Sequence, residues 1–302
     1  MEVSTRTLLI SVAIFLGGLI LGIPVLKSQT NEEPIYFKDV YSLGQYAYMS
    51  YEDDNKIQEF CKLQNAECNI KYIEETQNKF FTAKIDSKKE YIISIRGTDN
   101  TKNALLDADF IKENDPNLKI KLHSGFSESA HKVFSEIFSE VPNNYSVLVT
   151  GHSLGGAEAV IVGMHLHYEG FPIKTVTTFG QPKVTDEAGA MKYSKLIPLT
   201  RIVNHNDIVP LTPPTELIYL LNPYKHFGRQ VYLMDGEYIT YDPHNVPDNN
   251  TVNSFWKNIK NEPLLDELSD HRMKNYLANI KDKIDGYKIQ ETDSMFLKTN
   301  FP

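Results

Sequence analysis

Cysteine is scarce in these 302 residues: Cys61 and Cys68 are the only two, and there is a single tryptophan. That excludes a disulfide-dense scaffold. No other cysteine and no clustered histidine stands near the pair, so the sequence offers no zinc site around it. Long basic runs are also missing. The net charge is −8, which argues against a nucleic-acid partner; the acidic residues are spread out and solvate the surface. There is no internal repeat and no low-complexity tract. The residues present are 41% hydrophobic and 11% aromatic, enough to bury one large α/β domain or two small ones. On one continuous helix the two cysteines would sit two turns apart, too far for a disulfide. Asn65 lies between them and is a tolerable helix C-cap, where the chain can fold back. A bridge and a pair of buried thiols both fit the residues.

The one long apolar run is at the N-terminus. No charge occurs from Leu8 to Leu26, and Arg6 and Lys27 flank the run. As a helix it would span about 28 Å, close to the hydrocarbon thickness of a bilayer. A cleaved signal peptide would have a shorter core and a small-residue cleavage site, for which Ser28-Gln29-Thr30 is a weak match. No cysteine follows that could carry a lipid. The reading is a membrane anchor or signal segment over residues 1–27, a linker over 28–36 that carries Pro34, and a domain over 37–302. The flanking charges put the amino terminus in the cytosol and the domain outside, periplasmic or extracellular; secretion after cleavage is the alternative. Gly18 and Gly22 have a helix-pairing spacing, for which ordinary packing is the simpler account.

Beyond the linker, strand and helix signals alternate. Helices are expected over Tyr41–Tyr51, Ile57–Leu63, His123 to about Glu140, Leu154–Tyr168, Asp186–Lys195 and Leu264 to about Lys281. Strands are expected over Ile70–Ile73, Phe80–Ile85, Glu90–Ile95, Tyr145–Thr150, Lys174–Phe179 and Leu199–Asn204, with a late hairpin of Gln230–Met234 and Tyr238–Tyr241. Phe80–Ile85 and Glu90–Ile95 read as an antiparallel hairpin at one side of the sheet. Lys112–Lys119 reads as a charged loop and residues 242–263 as a Pro- and Asn-rich one. The alternation predicts an α/β fold with a mostly parallel central sheet flanked by helices. Ligands of such sheets sit at the C-terminal strand ends. Thr98, Ser153 and Asp207 each lie just past one.

The chemistry centres on Gly151-His152-Ser153-Leu154-Gly155-Gly156. A β-branched run enters it and a small-residue helix leaves it, as in a strand–turn–helix that presents a nucleophilic serine at its apex. A serine hydroxyl needs a histidine as general base and a carboxylate to orient that histidine. In an α/β-hydrolase sheet they follow the serine in the order acid, then base. Asp207 is the acid candidate, because Asp242, Asp248 and Asp266 lie in later, more loop-like sequence. For the base, His226, His244 and His271 remain. His271 is favoured, opening the last helical segment after a loop long enough to cross the sheet, and His226 is second. Oxyanion donors are expected from the backbone N–H of Leu154 and from Thr98, whose hydroxyl can add another.

Together these blocks resemble the class 3 lipase family, which includes the fungal triacylglycerol lipases. The likeness runs from about Tyr41 to His271, through Ile95-Arg96-Gly97-Thr98, Asn103-Ala104-Leu105-Leu106-Asp107, His123-Ser124-Gly125-Phe126, Gly151 to Gly156, Thr178 to Val184, Arg201 to Pro210 and Asp270-His271. It implies an α/β-hydrolase fold, with the N-terminal apolar helix outside the domain, and esterase or lipase activity on acylglycerols or other acyl esters. It implies Ser153, Asp207 and His271 as the triad, Thr98 and Leu154 as oxyanion donors, no metal or organic cofactor, and a lid over about Asp99 to Phe110. Ala104 stands where the family often has Trp, and Thr185 where it usually has Gly. Phospholipase A1 activity is the nearest enzymatic alternative, and a catalytically silent binding domain on the same fold is the non-enzymatic one. Oligomeric state is not legible.

Overall fold

A computed structural model of the chain describes residues 34–98, 110–213, 222–241 and 269–290. The chain divides into two units, Met1–Ile35 and Tyr36–Pro302, and the fold described here is that of the second. The N-terminal apolar run lies outside the described residues, as do His244, Asp242, Asp248, Asp266 and the expected lid apart from Phe110. Among the described residues, no helix is long and apolar enough to cross a membrane.

The first elements are helices α1 (Phe37–Met49) and α2 (Asp54–Leu63) and strands β1 (Glu67–Ile73), β2 (Asn78–Ile85) and β3 (Glu90–Ile95). Then come β4 (Lys112–Asn114), β5 (Lys121–His123), α3 (Ser124–Ile137), β6 (Ser146–His152) and α4 (Leu154–Tyr168). β7 (Ile173–Phe179), β8 (Thr185–Asp186), α5 (Glu187–Tyr193) and β9 (Leu199–Asn204) follow. β10 (Tyr224–Lys225), β11 (Arg229–Leu233), β12 (Tyr238–Thr240), α6 (Met273–Lys281) and β13 (Lys288–Ile289) complete the described order.

The main sheet runs β1-β2-β3-β6-β7-β9-β11-β12-β13. β3, β6, β7, β9 and β11 are mutually parallel. β1 and β2 pair antiparallel at one side, joined to β3 by the expected hairpin. The alternation of side chains along each strand divides the core in two. Tyr91, Ile93 and Ile95 of β3 and Val147 and Val149 of β6 face a cluster with Ala130 and Val133 of α3 and Ala157 and Val160 of α4. Ile92 and Leu148 face the opposite way, against Leu43 and Tyr46 of α1 and Ile57 and Cys61 of α2. Central strands buried on both faces therefore read as continuous apolar runs rather than alternating ones.

Several expectations change in detail. Lys112–Asn114 is a strand, not a loop; it belongs to a small second sheet, β10-β8-β5-β4, that the sequence did not announce. Short polar strands carry no periodic signal. The last helix begins at Met273, so Asp270 and His271 lie in the turn before it and not inside it. That turn is held open because its carbonyls are engaged elsewhere: Asn275 Nδ2 donates to Ser269 O at 2.6 Å, and Asn204 Nδ2 to Asp270 O at 3.0 Å.

Cys61 and Cys68 form a disulfide, with Cα atoms 6.1 Å apart. The geometry follows from Asn65, whose φ of 53° reverses the chain after α2, so that β1 returns alongside the helix. Closing so short a loop is worth about 2 kcal/mol of chain entropy. The double substitution Cys61→Ala/Cys68→Ala is expected to lower unfolding free energy by about that amount in urea titrations. The Ser153 region should be undisturbed, because the bridge lies on α2 and β1.

Candidate active site

β6 delivers the nucleophile candidate. Ser153 sits between β6 and α4 with φ 58° and ψ −130°, a conformation L-residues adopt only when their surroundings enforce it. The chain must double back tightly here. A β-carbon at Gly151 would lie 2.2 Å from the carbonyl oxygen of Gly155, and one at Gly155 would lie 2.3 Å from that of Ile95. Only glycine fits at either position, which is the physical content of the motif. The turn is pinned from the next strand, where Ser153 N–H donates to Phe179 O at 2.9 Å.

Three scattered side chains meet at this apex. His271 Nε2 is 2.8 Å from Ser153 Oγ, and His271 Nδ1 is 2.8 Å from Asp207 Oδ2. Ser153, Asp207 and His271 are all buried. Asp207 ends the turn that leaves β9; its backbone N–H donates to Asn204 O at 2.9 Å, and its Oδ1 accepts from Val209 N–H at 2.9 Å. Burial alone would push this carboxyl up. The neighbouring His271, the hydroxyl of Tyr276 and the Val209 amide outweigh burial and hold the carboxyl below its ordinary value. It is therefore a carboxylate at neutral pH and can orient an imidazole.

The other expected members fall as follows. Leu154 opens α4 directly after Ser153. Thr98 follows the end of β3, and a β-carbon on its neighbour Gly97 would lie 3.1 Å from Ser153 Cβ, so the two segments lie side by side. His226, the second candidate for the base, is not at the serine. It is half-buried and donates from Nε2 to Pro210 O at 2.7 Å. Burial, then the nearby Arg201 and Lys183 charges, press its pKa well down, and it stays neutral as a structural donor.

The structure also assigns surroundings that the sequence did not disclose. Tyr276 of α6 donates to Asp207 Oδ2 at 2.5 Å. His152 is 2.5 Å from the His271 carbonyl oxygen through Nε2, and 2.8 Å from Tyr51 Oη through Nδ1. A carbonyl only accepts, so Nε2 carries the proton and Nδ1 accepts from the tyrosine. Burial, reinforced by His271, lowers the His152 pKa to about 3, which keeps this tautomer neutral. Asn204 also accepts from Asn279 Nδ2 at 2.8 Å, so one side chain ties the His271 turn to α6. Gly180 has φ +60°, and a β-carbon there would lie 2.7 Å from Asp207 Oδ2. His152, Gly180 and Asn204 lie in blocks already visible in the sequence and Tyr276 in none, but the contact each makes is met only across the fold.

A cleft of about 860 Å³ runs along the same rim and is lined by Leu154, Phe126, Ser129 and Glu158, among others. Glu158, one turn into α4, is buried. Burial raises its pKa to about 8, against the lowering effect of Ser129 and Asn78. The three side chains form a ring: Glu158 Oε1 to Ser129 Oγ at 2.9 Å, Ser129 Oγ to Asn78 Oδ1 at 2.6 Å, and Asn78 Nδ2 to Glu158 Oε2 at 2.5 Å. With Glu158 protonated, every member donates once around the ring. With it charged, the single Ser129 proton has two acceptors and one goes unserved.

An open central parallel sheet with helices on both faces, and a serine–histidine–carboxylate set at its C-terminal strand ends, defines an α/β-hydrolase. Residues 92–217 match the family model described as Lipase (class 3). The lipase of Rhizomucor miehei is 34% identical over 166 residues, 51% of this chain and 44% of that protein. Secreted mono- and diacylglycerol lipase 1 of Fusarium solani is 29% identical over 164 residues, 52% of this chain and 47% of that protein. This chain thus spans less than half the length of either. The crystal structure of the lipase of Rhizopus microsporus var. chinensis superposes with a TM-score of 0.57 at 26% identity, covering 65% of this chain and 74% of that one.

The raised Glu158 pKa has a signed consequence. The stability gained from its protonated form is complete below the unfolded value near 4.5 and is lost as pH rises through about 8. Glu158→Gln keeps the ring and removes the titration. It is expected to stabilise the protein at pH 8 relative to pH 5 by on the order of 2 kcal/mol, read from urea unfolding at the two pH values.

Proposed function

We propose that this chain is a serine ester hydrolase that cleaves acyl esters of acylglycerols through an acyl-enzyme on Ser153. The observation that carries the reading is the unbroken relay of two 2.8 Å contacts from Ser153 Oγ through His271 to Asp207. The sequence likeness to lipases supports the substrate class.

In this mechanism Ser153 Oγ attacks the ester carbonyl carbon as its proton passes to His271 Nε2. Asp207 stabilises the imidazolium through Nδ1–H without taking the proton itself. The carbonyl oxygen becomes an oxyanion, met by the backbone N–H of Leu154 and by Thr98. Collapse breaks the C–O bond, and the departing alcohol takes the proton from Nε2. Water then repeats the sequence on the acyl-enzyme: His271 accepts its proton, the acid is released, and Ser153 regains its hydrogen. No metal or organic cofactor enters these steps.

The disulfide and the secreted Fusarium solani relative support a domain that works outside the cytoplasm. In this reading residues 1–27 take it there, 28–36 are the linker and 37–302 the catalytic domain. N-terminal sequencing of the exported protein separates a retained anchor, beginning at Met1, from a segment cleaved near Thr30.

Hydrolysis of a panel of acylglycerol, phospholipid and short-chain acyl esters tests the activity and its class. Ser153→Ala is expected to lower kcat by about 10⁴ or more and to abolish labelling by a fluorophosphonate. His271→Ala should lose the label, and His226→Gln should keep it. Equal hydrolysis by wild type and Ser153→Ala would leave a silent binding domain.

Tyr276 gives a finer test. Tyr276→Phe removes a donor from a buried carboxylate, a charge-assisted bond worth about 1.5–3 kcal/mol. The expected result is a fall in kcat of about tenfold or more with KM little changed, because Tyr276 supports Asp207 and lies behind it, away from the serine.

A further inference from the structure

A second cluster of metal-binding side chains lies away from the triad. Asp115 stands in the turn between β4 and β5, His131 on α3 and His165 near the end of α4. Asp115 Oδ2 is 2.8 Å from His131 Nε2 and 3.2 Å from His165 Nε2. All three atoms lie within 4.8 Å of one another. The carboxylate is pre-aimed. Its other oxygen, Oδ1, accepts the backbone N–H groups of Asn117 at 2.9 Å and Leu118 at 2.8 Å, which turns Oδ2 towards the imidazoles. The rings of His131 and His165 stand 4.3 Å apart between centroids.

His165 supplies the independent sign of a missing partner. It is 1% exposed, yet its Nε2 has no hydrogen-bond partner among the described residues. The 3.2 Å approach to Asp115 lies off the line of its N–H. A buried ring nitrogen that stands 3.2 Å from a carboxylate oxygen without the geometry of a hydrogen bond leaves a coordinating atom unsatisfied beside an anion, as an empty cation site would.

We propose that Asp115, His131 and His165 bind one zinc ion. Two imidazole nitrogens and one carboxylate oxygen are ligands that zinc accepts in a tetrahedral site. Magnesium and calcium prefer all-oxygen sets, and no thiolate is present to favour copper(I). For zinc bonds of about 2.0–2.1 Å, tetrahedral ligand atoms stand about 3.3 Å apart. The two contacts to Asp115 already approach that spacing, and a small rotation of half-exposed His131 completes the triangle. Asp115 and His131 also line the cleft shared with Leu154 and Glu158, which gives the ion an entry path and water a place as fourth ligand. The ion joins three elements: the turn after β4, helix α3 and helix α4. Its role is a clamp on the cleft wall, and it takes no part in the ester chemistry.

The test uses the full, untagged chain stripped of metal with a chelator. Titration with zinc chloride by calorimetry should show one equivalent bound, and cobalt chloride should give the intense visible bands of a four-coordinate site. His131→Ala, at a half-exposed position, and His165→Gln should each weaken uptake at least about tenfold. Zinc should raise the melting temperature of the wild type but not of His131→Ala. His131→Ala should keep fluorophosphonate labelling of Ser153, so a failed zinc site and a failed hydrolase are distinguishable. No uptake by the wild type, or uptake unchanged in both variants, overturns the proposal and leaves the cluster an Asp–His ion pair.

Discussion

The backbone of Ser153 is the constraint on which the site depends. A non-glycine residue at φ 58° and ψ −130° costs on the order of 1–3 kcal/mol. It persists because β6 and β7 hold it from one side and Gly151 and Gly155 remove every atom that would forbid it. The same reversal starts α4 at Leu154, so the Ser153 hydroxyl and the first free helical N–H groups arrive together. A larger side chain at either glycine would move Ser153 from His271, since the clashes fall on backbone atoms.

Around that apex the protein solves an electrostatic problem with few charges. Asp207 is kept ionised in a buried place by donors from three directions. His152 is kept neutral by burial and holds His271 by its main chain. Glu158 is kept protonated by burial, which outweighs the opposing pull of Ser129 and Asn78 in its ring. Asp207, His152 and Glu158 thus each have one favoured protonation state at neutral pH. Low dielectric makes those assignments firm, because an unpartnered charge here is far more costly than in water.

The comparison with known lipases has a boundary that bears on this arrangement. The family match covers residues 92–217 and so contains Thr98, Ser153, Leu154 and Asp207. His271 lies beyond it. His271, with Tyr276 behind Asp207, comes from a late segment that packs against α1 and β9 rather than continuing the central strands. Gly44 shows how closely, since a β-carbon there would lie 3.0 Å from Leu277 Cδ2 and 3.3 Å from Met273 Cε. The last described helix and the first are thus mutually supporting, and the imidazole is carried on that contact.

The sequence by itself determined the central strands, the helices beside them and the strand–turn–helix at Ser153. Those features are written in local periodicity and in glycines with no alternative. It also determined Asp207 and His271 as candidates, through residue type and chain order. It left His226 open as a base, left the cysteines undecided, and put His271 inside a helix that in fact begins two residues later. Tertiary structure decided these points, because each rests on partners far away in the chain. Pro210 claims His226, the αL turn at Asn65 brings Cys61 to Cys68, and Asn204 with Asn275 holds the His271 turn open. It alone assembled Tyr276, His152, the Glu158 ring and the Asp115–His131–His165 cluster. Periodicity reports which face of an element is apolar; it carries no information about which polar side chain will stand opposite once two elements are packed.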